Sequence, residues 1–349
     1  MKILLLKPSS LGDVVQAIPV LRLLKQALPQ AEIFWWLESG LVPLLHGDPD
    51  LAGIIPFERE RWRSPWRWGE AWHSLRQIRA HGFDWVIDLQ SLIRSAVVAW
   101  LANGKLLVGL DDPREGARGF YDIAVRRPSP ATHAVDWYLG VLAPLDIPAH
   151  WNFTWLPERP EISAAVQEKW RPAGERWIAL QPGGRWLNKR WPAESFAELV
   201  RLLTKAYPEF RLAILGSRAD AELGRKIAAA SPSRCLDLTG QLSLPEMVEW
   251  LRFTELMVTN DTGPMHVAAA LRKPVVALFG PTNPRRTGPY GQIESTIQLT
   301  LECIPCLKDY CTYHKPMECL RGLSPMMVFA RVQKALAGGR ARRAGVSPA

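Results

Sequence analysis

No apolar run in this chain approaches the roughly 18–20 residues that a membrane-spanning helix needs. That excludes an integral helical membrane protein. The start, Met1–Pro8, has only a short apolar segment, cut off by Lys7 and Pro8. It is too short for a signal-peptide core and lacks a cleavage site, so it reads as a buried first strand. No Gly-x-Gly-x-x-Gly follows that strand, which argues against a hydride-transferring dehydrogenase. There is no short-period repeat, so no solenoid, and no low-complexity segment beyond the basic end. Acidic residues are outnumbered, 34 against 43 Lys and Arg, for a formal net charge of +9. The excess suggests an anionic partner: nucleic acid, an anionic lipid surface or a phosphorylated substrate. Part of it sits in Arg340-Ala341-Arg342-Arg343, read as a frayed end.

What is present is ample for two domains. The chain has 349 residues, 48% of them hydrophobic, with sixteen Trp. Strand-like runs alternate with helical ones: strands at Lys2–Lys7, Glu32–Leu37 and Asp84–Leu89, helices at Leu11–Ala27 and Ser91–Ala102. Such alternation predicts a mostly parallel sheet with helices on both faces. Trp151–Gly174, rich in Pro and polar residues, reads as a linker. The pattern then restarts, with strands at Trp177–Gln181, Arg211–Leu215, Glu255–Thr259 and Val275–Phe279. Helices follow near Ala193–Ala206, Ala219–Ala230 and Pro264–Leu271. The expected boundaries are a first domain over 1–155, a second over 156–335 and a disordered basic tail over 336–349. Two doubly wound units place ligands in a cleft at the carboxyl ends of their strands.

The residues that can do chemistry fall at those strand ends. Asn260-Asp261-Thr262-Gly263-Pro264-Met265-His266 turns from a strand into a helix. Gly263 can cap that helix and Pro264 suits its first turn, so free N–H groups and the positive end of the dipole form a phosphate site. Asp261 can accept from sugar hydroxyls, and His266 faces the same place or is a satisfied structural group. Pro182-Gly183-Gly184-Arg185 is an open turn; Lys189 and Arg185 either neutralise a leaving diphosphate or belong to a solvated basic loop. Glu222 can bind ribose hydroxyls or be a surface helix carboxylate. In Ser9-Ser10-Leu11-Gly12-Asp13, either serine can cap the next helix and Gly12 permits close approach of a ligand. Asp13 either takes a proton from an attacking hydroxyl or complements the helix dipole.

Asp48-Pro49-Asp50 is an Asp-x-Asp, but it falls in a predicted turn and is read as turn chemistry, not as a metal site. Cys303, Cys306, Cys311 and Cys319 have plausible metal spacing without matching a zinc ribbon; no metal is assigned. Cys235 reads as buried packing. Arg61, Arg63 and Arg67 alternate with Trp62, Trp66 and Trp68. Arg suits carboxylate and phosphate and Trp the membrane–water interface, or the stretch is an ordinary basic helix start.

Three of these motifs, Lys7-Pro8-Ser9-Ser10-Leu11-Gly12-Asp13, Lys189-Arg190-Trp191-Pro192 and Asp261-Thr262-Gly263-Pro264-Met265-His266, together with Phe279-Gly280-Pro281-Thr282, resemble the ADP-heptose:lipopolysaccharide heptosyltransferases of glycosyltransferase family nine. The resemblance spans almost the whole chain. Phe83–Ser95 looks most like the branch that adds the first heptose to Kdo on lipid A. The family implies an α/β GT-B fold, two Rossmann-like domains facing across a cleft, and inverting transfer from ADP-L-glycero-D-manno-heptose without metal or other cofactor. By resemblance, Asp13 matches the catalytic base and Lys189 the lysine on the ADP phosphates. Glu222 matches the ribose carboxylate; Asp261, Thr262, Gly263 and His266 match the loop for donor sugar and pyrophosphate. Ser9, Ser10, Gly12 and Gly183 are expected to line the donor site, and Arg61, Arg63 and Arg67 to grip an anionic Kdo–lipid A acceptor. The expected setting is cytoplasmic, with peripheral contact at the inner leaflet and no nucleic acid partner. A heptose or protein acceptor, or a nucleotide-sugar epimerase of the same fold, are the alternatives.

Overall fold

A computed structural model describes residues 1–58 and 68–343. The chain divides into two compact units, Met1–Pro157 and Glu158–Ala349.

The first unit holds β1 (Lys2–Leu6), α1 (Leu11–Ala27), β2 (Glu32–Glu38), β3 (Gly53–Phe57), α2 (Trp68–Ala80), β4 (Trp85–Asp88), α3 (Ile93–Ala102), β5 (Leu106–Asp111), β6 (Ile123–Arg126) and α4 (Ala134–Leu139). All six strands are parallel, in the order β3-β2-β1-β4-β5-β6. Helices cover a parallel sheet, so its central strands are apolar throughout; Ile3, Leu4, Leu5 and Leu6 are fully buried. Leu4, Leu6, Val86, Ile78 of α2 and Val98 of α3 share one core, while α1 packs on α4.

Arg22 of α1 fixes the rim of this unit. Its guanidinium donates to both oxygens of Asp48 at 2.6 Å, to Asp50 Oδ2 at 2.6 Å and to the Trp155 carbonyl at 2.9 Å. Asp48-Pro49-Asp50 is therefore a turn committed to an arginine, in keeping with its reading as turn chemistry.

The second unit repeats the plan. It holds α5 (Pro160–Trp170), β7 (Arg176–Gln181), α6 (Ala193–Ala206), β8 (Phe210–Ile214), α7 (Ala221–Ala228), β9 (Cys235–Asp237), α8 (Leu244–Phe253), β10 (Thr254–Asn260), α9 (Gly263–Ala270), β11 (Val275–Leu278), β12 (Thr296–Ile297) and α10 (Pro325–Arg343). The parallel order is β12-β11-β10-β7-β8-β9. Numbered within each unit, both sheets run 3-2-1-4-5-6, the Rossmann order. The connections after the first and fourth strands leave in opposite directions there, opening a crevice at the carboxyl edge.

Two expectations need correction. The linker read over Trp151–Gly174 contains α5, which Pro160 can open without losing a hydrogen bond and which buries Val166. The tail expected from residue 336 is helical as far as Arg343, although Gly338 and Gly339 each disfavour a helix relative to Ala.

Candidate active site

In the second unit the crevice lies between the loops after β7 and β10. Asn260, fully buried, ties them together: its Nδ2 donates to the Pro182 carbonyl at 2.7 Å and its Oδ1 accepts from the Trp191 N–H at 3.1 Å. Lys189 stands in the turn Leu187–Lys189, its Nζ 4.7 Å from the Trp186 ring. That Nζ meets Asp261 Oδ2 at 2.6 Å, and the Thr282 hydroxyl donates to the same oxygen at 2.6 Å. Gln298 Nε2 holds the Thr282 loop by donating to the Gly280 and Thr282 carbonyls. Thr262 is the N-cap of α9 but makes no side-chain cap bond to it, and Pro264 occupies its first turn. The helix mouth, with its dipole, therefore opens beside the Lys189–Asp261 pair, an arrangement suited to a phosphate. His266 is one turn further in and mostly buried.

Gly183 is required by close approach. A Cβ there would stand 2.5 Å from Asp220 Oδ2. Asp220 Oδ2 accepts from the Ser217 N–H and hydroxyl at 2.9 and 2.7 Å, which aims the carboxylate inward. Its buried Oδ1 receives no hydrogen bond among the described residues; Arg190 Nη2 lies 3.6 Å from it, and Arg190 Nε donates to the Gly184 carbonyl at 2.7 Å. Glu222, expected at the ribose, occupies the first turn of α7 and is exposed. The carboxylate among the loops is Asp220, two residues earlier. The signal that could have found it is Ser217-x-x-Asp220, a capping pattern that turns the acid back toward its serine. Arg185 is exposed.

In the first unit, Asp13 lies in the first turn of α1, where Ser10 donates to its Oδ2 through both N–H (3.0 Å) and hydroxyl (2.8 Å). The Tyr138 hydroxyl of α4 is 3.4 Å from Oδ1. Gly12 is buried and Ser9 half-buried beside them. Lys7, almost fully buried, donates to the Leu89 carbonyl at 2.9 Å and lies 4.6 Å from the Tyr138 ring centre. Burial lowers its pKa, opposed by the negative charges of Asp13 and Asp88. Asp88, at the end of β4, is fully buried and accepts from the Gln90 and Ser91 N–H groups and from the Ser95 and Tyr121 hydroxyls. Burial raises its pKa, and those bonds oppose the rise. Lys7, Tyr138 and Asp88 carried no role in the sequence reading.

Arg61, Arg63 and Arg67 lie outside the described residues. The five cysteines are free thiols; among the described residues no group of three or more His, Cys, Asp or Glu is arranged to hold a metal ion.

Two Rossmann-ordered units, one with a phosphate-type helix mouth at its switch point, define a two-domain glycosyltransferase of the GT-B class. The family model for glycosyltransferase family 9 (heptosyltransferase) matches residues 71–316. The chain is 34% identical to lipopolysaccharide heptosyltransferase 1 of Pseudomonas aeruginosa, over 91% of this chain and 89% of that protein. It is 31% identical to lipopolysaccharide heptosyltransferase 2 of Salmonella typhimurium, over 86% and 88%. The solved structure of Escherichia coli ADP-heptose LPS heptosyltransferase II superposes with a TM-score of 0.77 at 26% identity, covering 98% of this chain and all of that one. The chain belongs to glycosyltransferase family 9, the heptosyltransferases, and is an enzyme.

Proposed function

We propose that this protein transfers heptose from ADP-L-glycero-D-manno-heptose to the Kdo region of lipopolysaccharide inner core, with inversion and without a metal ion. The observation that carries the donor side is the Lys189–Asp261 pair beside the mouth of α9. In this reading the second unit binds ADP-heptose. Lys189 and the α9 N–H groups stabilise the diphosphate as the bond from the sugar carbon to its oxygen breaks. Asp261, Thr262, Gly263 and His266 face the sugar and pyrophosphate, Gly183 admits the nucleotide, and Glu222 accepts from the ribose hydroxyls.

The first unit supplies the acceptor side. Asp13 removes the proton from the acceptor hydroxyl as its oxygen attacks the anomeric carbon, so the new bond forms opposite the leaving group and the configuration inverts. Ser9, Ser10 and Gly12 shape its loop. Arg61, Arg63 and Arg67 carry the charge to meet an anionic Kdo–lipid A, and the enzyme works in the cytoplasm against the inner leaflet. Among the described residues no helix is long and apolar enough to cross a membrane. The Kdo acceptor is favoured because the Pseudomonas relative at 34% identity is a heptosyltransferase 1.

The test is to incubate the purified protein with ADP-heptose and, separately, Kdo-lipid A, its mono-heptosylated product and a protein acceptor, then weigh the products. One added heptose on Kdo-lipid A, with the anomeric configuration opposite to the donor's, is expected. Transfer only to the heptosylated lipid or to protein overturns the acceptor assignment. Retention of configuration overturns the mechanism.

A further inference from the structure

We propose that Tyr138 is a positioning residue for the reaction: its hydroxyl, on Asp13 Oδ1, fixes the plane in which Asp13 receives the acceptor's proton. The inference rests on Asp13 being the base. Ser10 makes both of its bonds to one oxygen, Oδ2. The last torsion of an Asp carboxylate is broad and roughly two-fold, so donors on both of its oxygens define its plane better than donors on one. Tyr138 is placed as a donor on the other oxygen, at 3.4 Å from Oδ1. The distance is long for O–H···O, as catalytic hydrogen bonds often are before substrate is bound.

Tyr138 is itself held. It is buried in α4, which packs on α1. The Lys7 ammonium lies 4.6 Å from its ring centre and is anchored on the Leu89 carbonyl. The plane of Asp13 is thus referred to the central strands β1 and β4 through Tyr138, Lys7 and Leu89. Other charges face this group. Arg114 and Arg127 act on Tyr138, Asp88 and Asp112 act on Lys7, and Asp13 acts on both. Burial and the Asp13 charge raise the pKa of Tyr138 well above its ordinary value. The hydroxyl therefore serves as a donor that aligns the carboxylate.

Tyr138→Phe removes the hydroxyl and keeps the ring against Lys7. A donor to a carboxylate favours its charged form, so losing it raises the pKa of Asp13. The acid limb of the kcat/KM–pH profile should move up by about half to one pH unit. We expect kcat to fall by about tenfold, within the range for an imperfectly placed general base, with KM for both substrates within about twofold. The limb's position does not depend on the folded fraction, so partial loss of protein does not mask it. An unmoved limb overturns the proposal, whether or not kcat falls. Asp13→Ala is assayed alongside. If it keeps near-normal turnover, the base assignment fails; if it is inactive while Tyr138→Phe leaves the limb in place, only the role of Tyr138 fails.

Discussion

The pairing of Lys189 with Asp261 allows the donor assignment to be tested by a double-mutant cycle. The two side chains are 19% and 7% exposed and meet at 2.6 Å. With one partner removed, the other is left charged and mostly dry. Lys189→Ala therefore does two things to ADP binding. It deletes a charge-assisted hydrogen bond to phosphate, worth about 1.5–3 kcal/mol. It also leaves a carboxylate facing the diphosphate, held there by Thr282. From the first effect alone the Kd for ADP should rise by roughly tenfold to a hundredfold or more. Asp261→Asn keeps the volume, lets the amide oxygen still accept from Thr282 and frees Lys189 for the phosphates, so ADP should bind no more weakly than to the wild type. In the Asp261→Asn background, Lys189→Ala should cost at least about 1 kcal/mol less than it does alone, because no carboxylate is stranded. Calorimetric titration with ADP measures all four proteins, with thermal melts confirming that each is folded. If Lys189→Ala leaves the Kd within twofold, Lys189 is not the phosphate ligand; if the two effects are strictly additive, the pair is not coupled to the nucleotide.

Three further outcomes are expected. Gly183→Ala puts a methyl 2.5 Å from Asp220 Oδ2; the carboxylate or the loop must shift, and ADP titration should show at least about tenfold weaker binding, as for displaced positioning groups generally. Arg22→Met strands Asp48, whose side chain is only 1% exposed, and should cost about 3–5 kcal/mol in urea unfolding, whereas a chelator should leave transfer unchanged because Asp48 and Asp50 are committed to Arg22 and not to a metal ion. Burial raises the Cys235 and Cys319 thiols to about 11, so at pH 8 only about one in a thousand of each is thiolate; alkylation read by mass spectrometry should mark exposed Cys311 first and reach those two only as pH climbs toward 11.

How much was legible depended on how local each signal is. The strands of both sheet centres announce themselves as apolar runs because both of their faces are buried. Asn260 to His266 is legible because a strand end, Gly263 and Pro264 are consecutive in sequence. The edge strands β3, β9 and β12 are short and partly exposed, so Gly53-Ile54-Ile55-Pro56-Phe57, with a proline inside, gives no clear period. Helix α5 hides in a stretch whose Pro content reads as linker, since Pro160 at a helix start and Pro in a loop look alike from sequence. The site residues that escaped were those made by distance. Tyr138 reaches Asp13 from 125 positions away, and nothing in Asp136-Trp137-Tyr138 marks it. Asp220 and Glu222 are both acids after a strand. Only the turn at Ser217, which bends one of them inward, separates the buried one from the exposed one.

The repeated strand order carries a further point. Both units build a crevice in the same way, after the first and fourth strands, yet they fill it with opposite chemistry. After β1 comes Asp13 and at the end of β4 stands Asp88, with Lys7 buried and tied to the Leu89 carbonyl. After β7 and β10 come Lys189, Arg190 and the open end of α9. A fold-level argument cannot tell the two apart, because Rossmann order predicts a ligand at each crevice and says nothing of its charge. The side chains can. An attacking hydroxyl must lose a proton and a departing diphosphate must have its charge met, and one set of loops could not hold both groups unscreened without each neutralising the other. Lys189 against Asp261 is such a neutralisation within a single crevice, with the Thr282 hydroxyl committed to the same carboxylate. In the proposed mechanism the base and the phosphate-binding cation come from different units, so neither is spent on the other.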